Sequence, residues 1–132
     1  MQILKFGGAA VQDADQIRNV AQIITQYAEE PYVVVVSAMG KTTNALEEIL
    51  VDYWYQRGGQ ANLEALKSSH QTVVSRLLGD KSLLYEELEN LWMDLEFYLE
   101  NAHEYTYDYA YDQVVSFGEI AAPKILSRYL QQ

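Results

Sequence analysis

Three short stretches carry residues able to act on a charged small molecule. Lys5-Phe6-Gly7-Gly8 sets a lysine and two glycines at the end of a short apolar run. Paired glycines after a strand let the backbone approach a ligand closely, and a following helix points its first N–H groups at an anion. Lys5 adds a compact positive charge at that turn. A solvated strand-end lysine is an equal alternative. Ser37-Ala38-Met39-Gly40-Lys41-Thr42-Thr43 repeats the arrangement after a second apolar run. Ser37, Lys41 and Thr43 there suit a phosphate or carboxylate at a helix N-terminus, although Thr42 or Thr43 acting only as a helix cap explains the same residues. Glu119 follows Gly118 in Val114-Val115-Ser116-Phe117-Gly118-Glu119. A glycine in a helical pattern costs about 1 kcal/mol against alanine and often marks a close backbone approach. A carboxylate beside it suits an ammonium group; from residue chemistry alone, an exposed glutamate is the simpler reading.

These residues need elements to hold them. Residues 2–6 read as a short, central, parallel strand. Residues 12–29 read as a helix, with Val11, Ala14, Ile17, Val20, Ala21, Ile24 and Ala28 on one stripe and Asp13 with Gln16 as its start signal. Residues 32–37, with four consecutive valines, read as a strand buried on both faces. Strand, helix and strand make a right-handed βαβ unit with helices expected on both sides of the sheet. Ligands bind at the C-terminal ends of such strands, so residues 5–8 and 37–40 are expected to be neighbours.

From about 43 to 101 the chain reads as helical. Asn44 with Glu47 gives a start signal, and Gly58-Gly59 breaks the first helix. A second covers 60–78, closed by Gly79-Asp80, and a third covers about 82–101. Their apolar stripes suit a helical insert packed beside the sheet. Tyr105, Tyr107, Tyr109 and Tyr111 alternate, and a loop is favoured there over a strand, leading into a last helix over 113–131. Pro123 cannot bond to the carbonyl of Glu119, so a kink is expected beside that residue. The chain thus divides into a βαβ core (1–44), a helical insert (45–104) and a final helix (105–132). Two strands do not make a stable α/β sheet, so further strands are expected from a longer chain or a partner.

Composition narrows the function. A net charge of −10 with only 9 basic residues argues against nucleic acid as a partner. The absence of cysteine removes disulfides and thiolate metal sites, and His70 and His103 lack metal-ligand spacing, so no protein-held metal is expected. No apolar run reaches membrane-spanning length, and Met1-Gln2-Ile3 lacks signal-peptide character, which makes a cytoplasmic location the default. Two nucleotide-binding fingerprints fail. A P-loop needs glycine where Val35 stands, and the dinucleotide pattern fails because Ala9, Ala10 and Val11 follow Gly7-Gly8.

Taken together, Lys5-Phe6-Gly7-Gly8-Ala9-Ala10-Val11, then Val34-Val35-Val36-Ser37-Ala38 with Thr43-Asn44, then Ser116-Phe117-Gly118-Glu119 resemble the aspartate kinases of the amino acid kinase family in order and spacing. The resemblance spans essentially the whole chain and covers the N-terminal part of such a kinase. It implies an α/β, partial three-layer fold with parallel strands and a large helical insert, mostly helical by residue count. It implies transfer of the γ-phosphoryl group of ATP, with Mg2+, to the β-carboxylate of L-aspartate in lysine, threonine and methionine biosynthesis, by a homo-oligomeric parent protein. By this analogy Lys5 is catalytic and stabilises the phosphates in the transition state, with Gly7 and Gly8 giving them room. Ser37 lies at the phosphates and with Ala38 lines the reaction centre. Ala38, Thr43 and Glu119 hold the aspartate, Glu119 through its ammonium group.

Two departures qualify the resemblance. Ala9-Ala10 replaces hydroxyl-bearing residues. The family's later Arg-Gly-Gly-Ser-Asp stretch, its ATP-binding lobe and its regulatory ACT domains are not in this sequence, so the resemblance implies an incomplete catalytic site within these residues. Two other readings stand beside it. One is a related kinase acting on another acid, such as acetylglutamate or glutamate. The other is a non-catalytic, truncated module that self-associates through sheet edges and aromatic-rich helices.

Overall fold

A computed structural model describes all 132 residues. Strands β1 (Gln2–Phe6) and β2 (Tyr32–Val36) pair in parallel, with Lys5 opposite Val35 and Phe6 opposite Val36. A 3-10 turn over Gly8–Val11 and helix α1 (Ala14–Tyr27) connect them, so the expected βαβ unit is present. Helix α1 starts at Asp13, whose Oδ1 accepts the Gln16 N–H at 2.8 Å, and it buries Ala14, Ile17, Val20, Ala21 and Ile24. It is shorter than residues 12–29 because Asp13 caps its start and Ala28, in an extended conformation, ends it.

Four helices follow: α2 (Thr42–Trp54), α3 (Gln60–Leu78), α4 (Leu84–Glu100) and α5 (Tyr107–Leu130). Gly58 and Gly59, at φ +95° and +105°, form the break between α2 and α3; only glycine takes such angles without strain. The start signal expected at Asn44 is not used. Helix α2 begins two residues earlier, and Asn44 lies within its first turn. Helix α5 packs against β2 and against α1, α2, α3 and α4. It starts earlier than expected, after Thr106, whose hydroxyl accepts the Tyr109 N–H at 3.2 Å. The loop favoured over residues 105–112 is therefore helix from Tyr107 onward. Tyr107, Tyr109 and Tyr111 sit on a helix in which Ala110 and Val114, four apart, are buried. Helix α5 continues across Pro123 as one element.

The sheet departs most from expectation. Helices cover one face only. Leu4, Phe6, Val34 and Val36 pack against the core. On the other face Ile3, Val33 and Val35 are 59%, 43% and 47% exposed. Successive strand residues point to opposite faces, and no element of this chain lies over the second face, so β2 is not buried on both sides. The result is mostly helical, with a small parallel sheet, as the resemblance implied.

His70 is the one fully buried histidine. It is 1% exposed, in α3, with its ring edge-on to Trp92 at 5.0 Å. Its Nδ1 lies 3.0 Å from the Leu66 carbonyl and donates to it in the neutral ring, which leaves Nε2 without a proton or a partner. Burial pushes the His70 pKa below its ordinary value of 6.5, against a smaller upward pull from the Leu66 bond. In the window below 6.5 the unfolded chain binds a proton that the folded chain refuses, so stability falls with falling pH. Urea unfolding between about pH 7.5 and 5.5 is expected to show this loss, up to about 1.4 kcal/mol per pH unit. His70→Gln should flatten that slope, and an unchanged slope would place the titration elsewhere.

Candidate functional site

The two strand ends meet, and backbone bonds hold them. The Ser37 N–H donates to the Phe6 carbonyl at 3.1 Å, and the Gly40 N–H donates to the Gly8 carbonyl at 2.9 Å. These bonds place the Lys5–Gly8 turn beside the Ser37–Gly40 turn, as the parallel pairing requires. The two glycines of the first turn differ in purpose. A methyl on Gly8 would lie 2.9 Å from the Ala38 carbonyl oxygen and 3.0 Å from that of Gly40, both backbone atoms. A methyl on Gly7 would meet nothing within 4 Å. Gly8 thus serves the packing of the two turns, whereas Gly7 leaves open space at the surface.

Gly118 closes the third side. A methyl there would lie 2.8 Å from Thr42 Cγ2, 3.1 Å from Ala38 Cβ and 3.2 Å from Leu46 Cδ1. The glycine that the sequence marked as a close approach is thus a contact between α5, α2 and the β2 end. It brings Glu119 to the same end of the sheet as Ser37, Ala38 and Thr43. Glu119 is exposed and has no hydrogen bond or ion pair within the chain. Lys5 is likewise exposed and unpaired, and strand alternation sets it on the open face of the sheet with Ile3. Ala38 is buried, Ser37 exposed and Thr43 half-buried.

The N-terminus of α2 has no side-chain cap. The Thr42 N–H donates to Met39 and the Ala45 N–H to Lys41, but those of Thr43 and Asn44, between them, find no acceptor in the chain. The capping alternative for Thr42 and Thr43 therefore fails. Thr42 is buried against Gly118 instead, and the free donors carry the partial positive charge of a helix start. Chemically, the arrangement offers two exposed, unpaired cations, Lys5 and Lys41 at the start of α2, with open space over Gly7, two free backbone donors and one carboxylate. That set can receive an anionic group and an ammonium group on one small molecule.

A cavity of about 400 Å3 lies beside this set, lined by Gln12, Gly40, Lys41, Thr42, Glu48 and His70 among others. Lys5, Gly7, Ser37, Thr43 and Glu119 do not line it. The candidate site is an open surface at the strand ends, with no walls on the far side of the sheet. Val35 is paired in β2, so the P-loop pattern fails in structure as in sequence. No group of three His, Asp or Glu side chains is arranged to hold a metal ion. What residue types did not announce was the division of labour between Gly7 and Gly8. It depends on the Ala38 and Gly40 carbonyls, about thirty residues away in the sequence.

Comparison with known proteins gives a consistent result. The family model described as the amino acid kinase family matches residues 1–132. The chain is 36% identical over 135 residues to the protein named aspartokinase 1, chloroplastic, of Arabidopsis thaliana, covering 97% of this chain and 23% of that protein. Among solved structures it is similar to E. coli aspartokinase III in complex with lysine and aspartate, with a TM-score of 0.84, 26% identity and coverage of 99% of this chain and 29% of that one. The same enzyme in complex with aspartate and ADP matches with a TM-score of 0.83, at the same identity and coverage. The chain spans about a quarter of the length of the relatives it matches.

The glycines separate packing from open space. Gly8→Ala and Gly118→Ala should each destabilise the fold by about 1–3 kcal/mol, since neighbouring atoms must shift to admit the methyl. For Gly118 this outweighs the gain in helix propensity of about 1 kcal/mol. Gly7→Ala should leave urea unfolding within about 0.5 kcal/mol of the parent. Equal losses at Gly7 and Gly8 would contradict the assignment.

Proposed function

Because the chain belongs to the amino acid kinase family, we propose that it is the part of an aspartate kinase that carries the phosphate-facing turn and the amino-acid-facing helix ends. The complete protein would transfer the γ-phosphoryl group of ATP to the β-carboxylate of L-aspartate, giving 4-phospho-L-aspartate. One observation carries this reading: the likeness to aspartokinases extends over 97–99% of the chain and so takes in all three site stretches at once. The comparison enzyme described with both aspartate and ADP supports an amino acid and a nucleotide as the ligand pair.

Phosphoryl transfer leaves a protein little covalent work and much positioning. Lys5 would neutralise charge that builds on the transferred group, as a fixed cation aimed at the transition state. Gly7 leaves room for phosphate oxygens to approach the backbone, and Gly8 holds the turn that shapes this room. Ser37 and the free N–H groups at the start of α2 would donate to phosphate or carboxylate oxygens. Ala38, Thr43 and Glu119 would hold the aspartate, with Glu119 pairing the ammonium group. Mg2+ would enter with the nucleotide rather than be held by this chain's own side chains. Within this reading residues 1–44 carry the phosphate side, 45–104 the helical insert and 105–132 the substrate-side helix. The parent is taken as a cytoplasmic homo-oligomer without nucleic-acid or membrane partners. No helix here is long and apolar enough to cross a membrane.

Two measurements test the reading. In the complete protein, Lys5→Ala should lower kcat for L-aspartate-dependent ADP release by at least about a hundredfold; near-normal turnover would remove Lys5 from catalysis. Residues 1–132 alone should release no ADP in response to L-aspartate, because one side of the site is open; clear turnover in a coupled assay would overturn that expectation.

A further inference from the structure

Helices α2 and α5 run side by side in opposite directions. Gly118 of α5 backs onto Thr42 near the start of α2, and Tyr111, two turns earlier in α5, reaches Glu47, further along α2. The Tyr111 hydroxyl donates to Glu47 Oε1 at 2.5 Å. It is the one side-chain hydrogen bond between these two helices. The rest of the seam is mostly apolar, with Leu46, Leu50, Ala110 and Val114 all buried and Thr42 turning its methyl to Gly118. Apolar packing sets how closely the two helices approach, whereas a charge-assisted hydrogen bond fixes the distance between two particular atoms.

The bond lies on the same helix faces as the residues assigned to the amino acid. Thr43 and Glu47 are four apart on α2, and Tyr111, Val115 and Glu119 are spaced by four on α5, so each set shares one face. Along the helix axes the bond is about 6 Å from Thr43 and about 12 Å from Glu119. We propose that Tyr111 and Glu47 are positioning residues that set the separation of Thr43 from Glu119, and through it the affinity for the acidic amino acid. The inference rests on the reading of Thr43 and Glu119 given above. The phenol is protonated and so a donor at neutral pH, and its bond to the Glu47 carboxylate, helped by burial, pushes its pKa further above the ordinary tyrosine value.

The test uses the complete protein, with KM for L-aspartate, KM for ATP, kcat and melting temperature read for each variant. Tyr111→Phe and Glu47→Ala should each raise KM for L-aspartate roughly threefold to tenfold, the size of one lost hydrogen bond. KM for ATP and kcat should stay within about twofold. Glu47→Gln retains an oxygen that accepts from the phenol and should restore most of the affinity. The double variant Tyr111→Phe/Glu47→Ala should be no worse than Glu47→Ala alone. A fall in melting temperature with KM for L-aspartate unchanged would make the bond structural only and overturn the proposal. So would a joint rise of both KM values. Thr43→Val and Glu119→Gln serve as references. If neither raises KM for L-aspartate, the underlying reading of the site falls, and this inference with it. If they do and Tyr111→Phe does not, only this inference falls.

Discussion

The close approach of α5 to the end of β2 and to α2 is the constraint on which the rest depends. It is possible because residue 118 has no side chain: Thr42, Ala38 and Leu46 already occupy the space a methyl would need. Helix α5 also touches every other helix, so its seat at Gly118 sets the depth at which the helical part meets the sheet. A larger residue there would lift α5 and with it the one carboxylate of the site. The same contact leaves Thr42 buried rather than capping, and that leaves the first turn of α2 with free donors. Packing and the free backbone donors share one cause at this place.

The other half of the candidate site is joined by backbone bonds. Phe6 to Ser37 and Gly8 to Gly40 join two turns that belong to different strands. The second turn also buries Ala38 and Met39, Met39 in the core; parallel pairing and the carbonyls that close over Gly8 set the geometry of the two turns. Lys5 then stands exposed and unpaired in a chain of net charge −10. For the proposed chemistry this is coherent. A cation already paired within the chain would have to break that pair to serve a phosphate. An acidic surface elsewhere leaves a small number of cations as the local anion sites.

The sheet explains why these residues form an open surface. Ile3, Val33 and Val35 make an apolar outer face that no element of this chain covers. The four-valine strand was legible as hydrophobic on both sides, and the residues are indeed apolar on both. Burial is a different property from hydrophobicity, because it requires another element to lie over the face. A strand's own residues cannot announce whether that element is present. The tyrosine segment differs in another way. The sequence favours a loop over residues 105–112, but Thr106 caps a helix and Ala110 and Val114 anchor it in the core. The alternating tyrosines masked the i, i+4 spacing of Ala110 and Val114 that seats the helix. At Asn44 the start signal was present, yet the buried Thr42 had already begun the helix against α5.

By itself the sequence determined the element types and most of their bounds, α3 above all, because apolar stripes and flanking glycines act over a few residues. It also determined which side chains could carry charge near the strand ends, since Lys5 ends an apolar run and Glu119 follows a glycine, and the local meaning of both is plain. The tertiary structure alone decided which glycine packs and which leaves room, which helix start keeps free N–H groups, and that Tyr111 reaches Glu47. Each of these depends on atoms about thirty to more than seventy residues away, brought together by strand pairing and by the seat of α5. No short stretch of sequence contains both halves of such a contact.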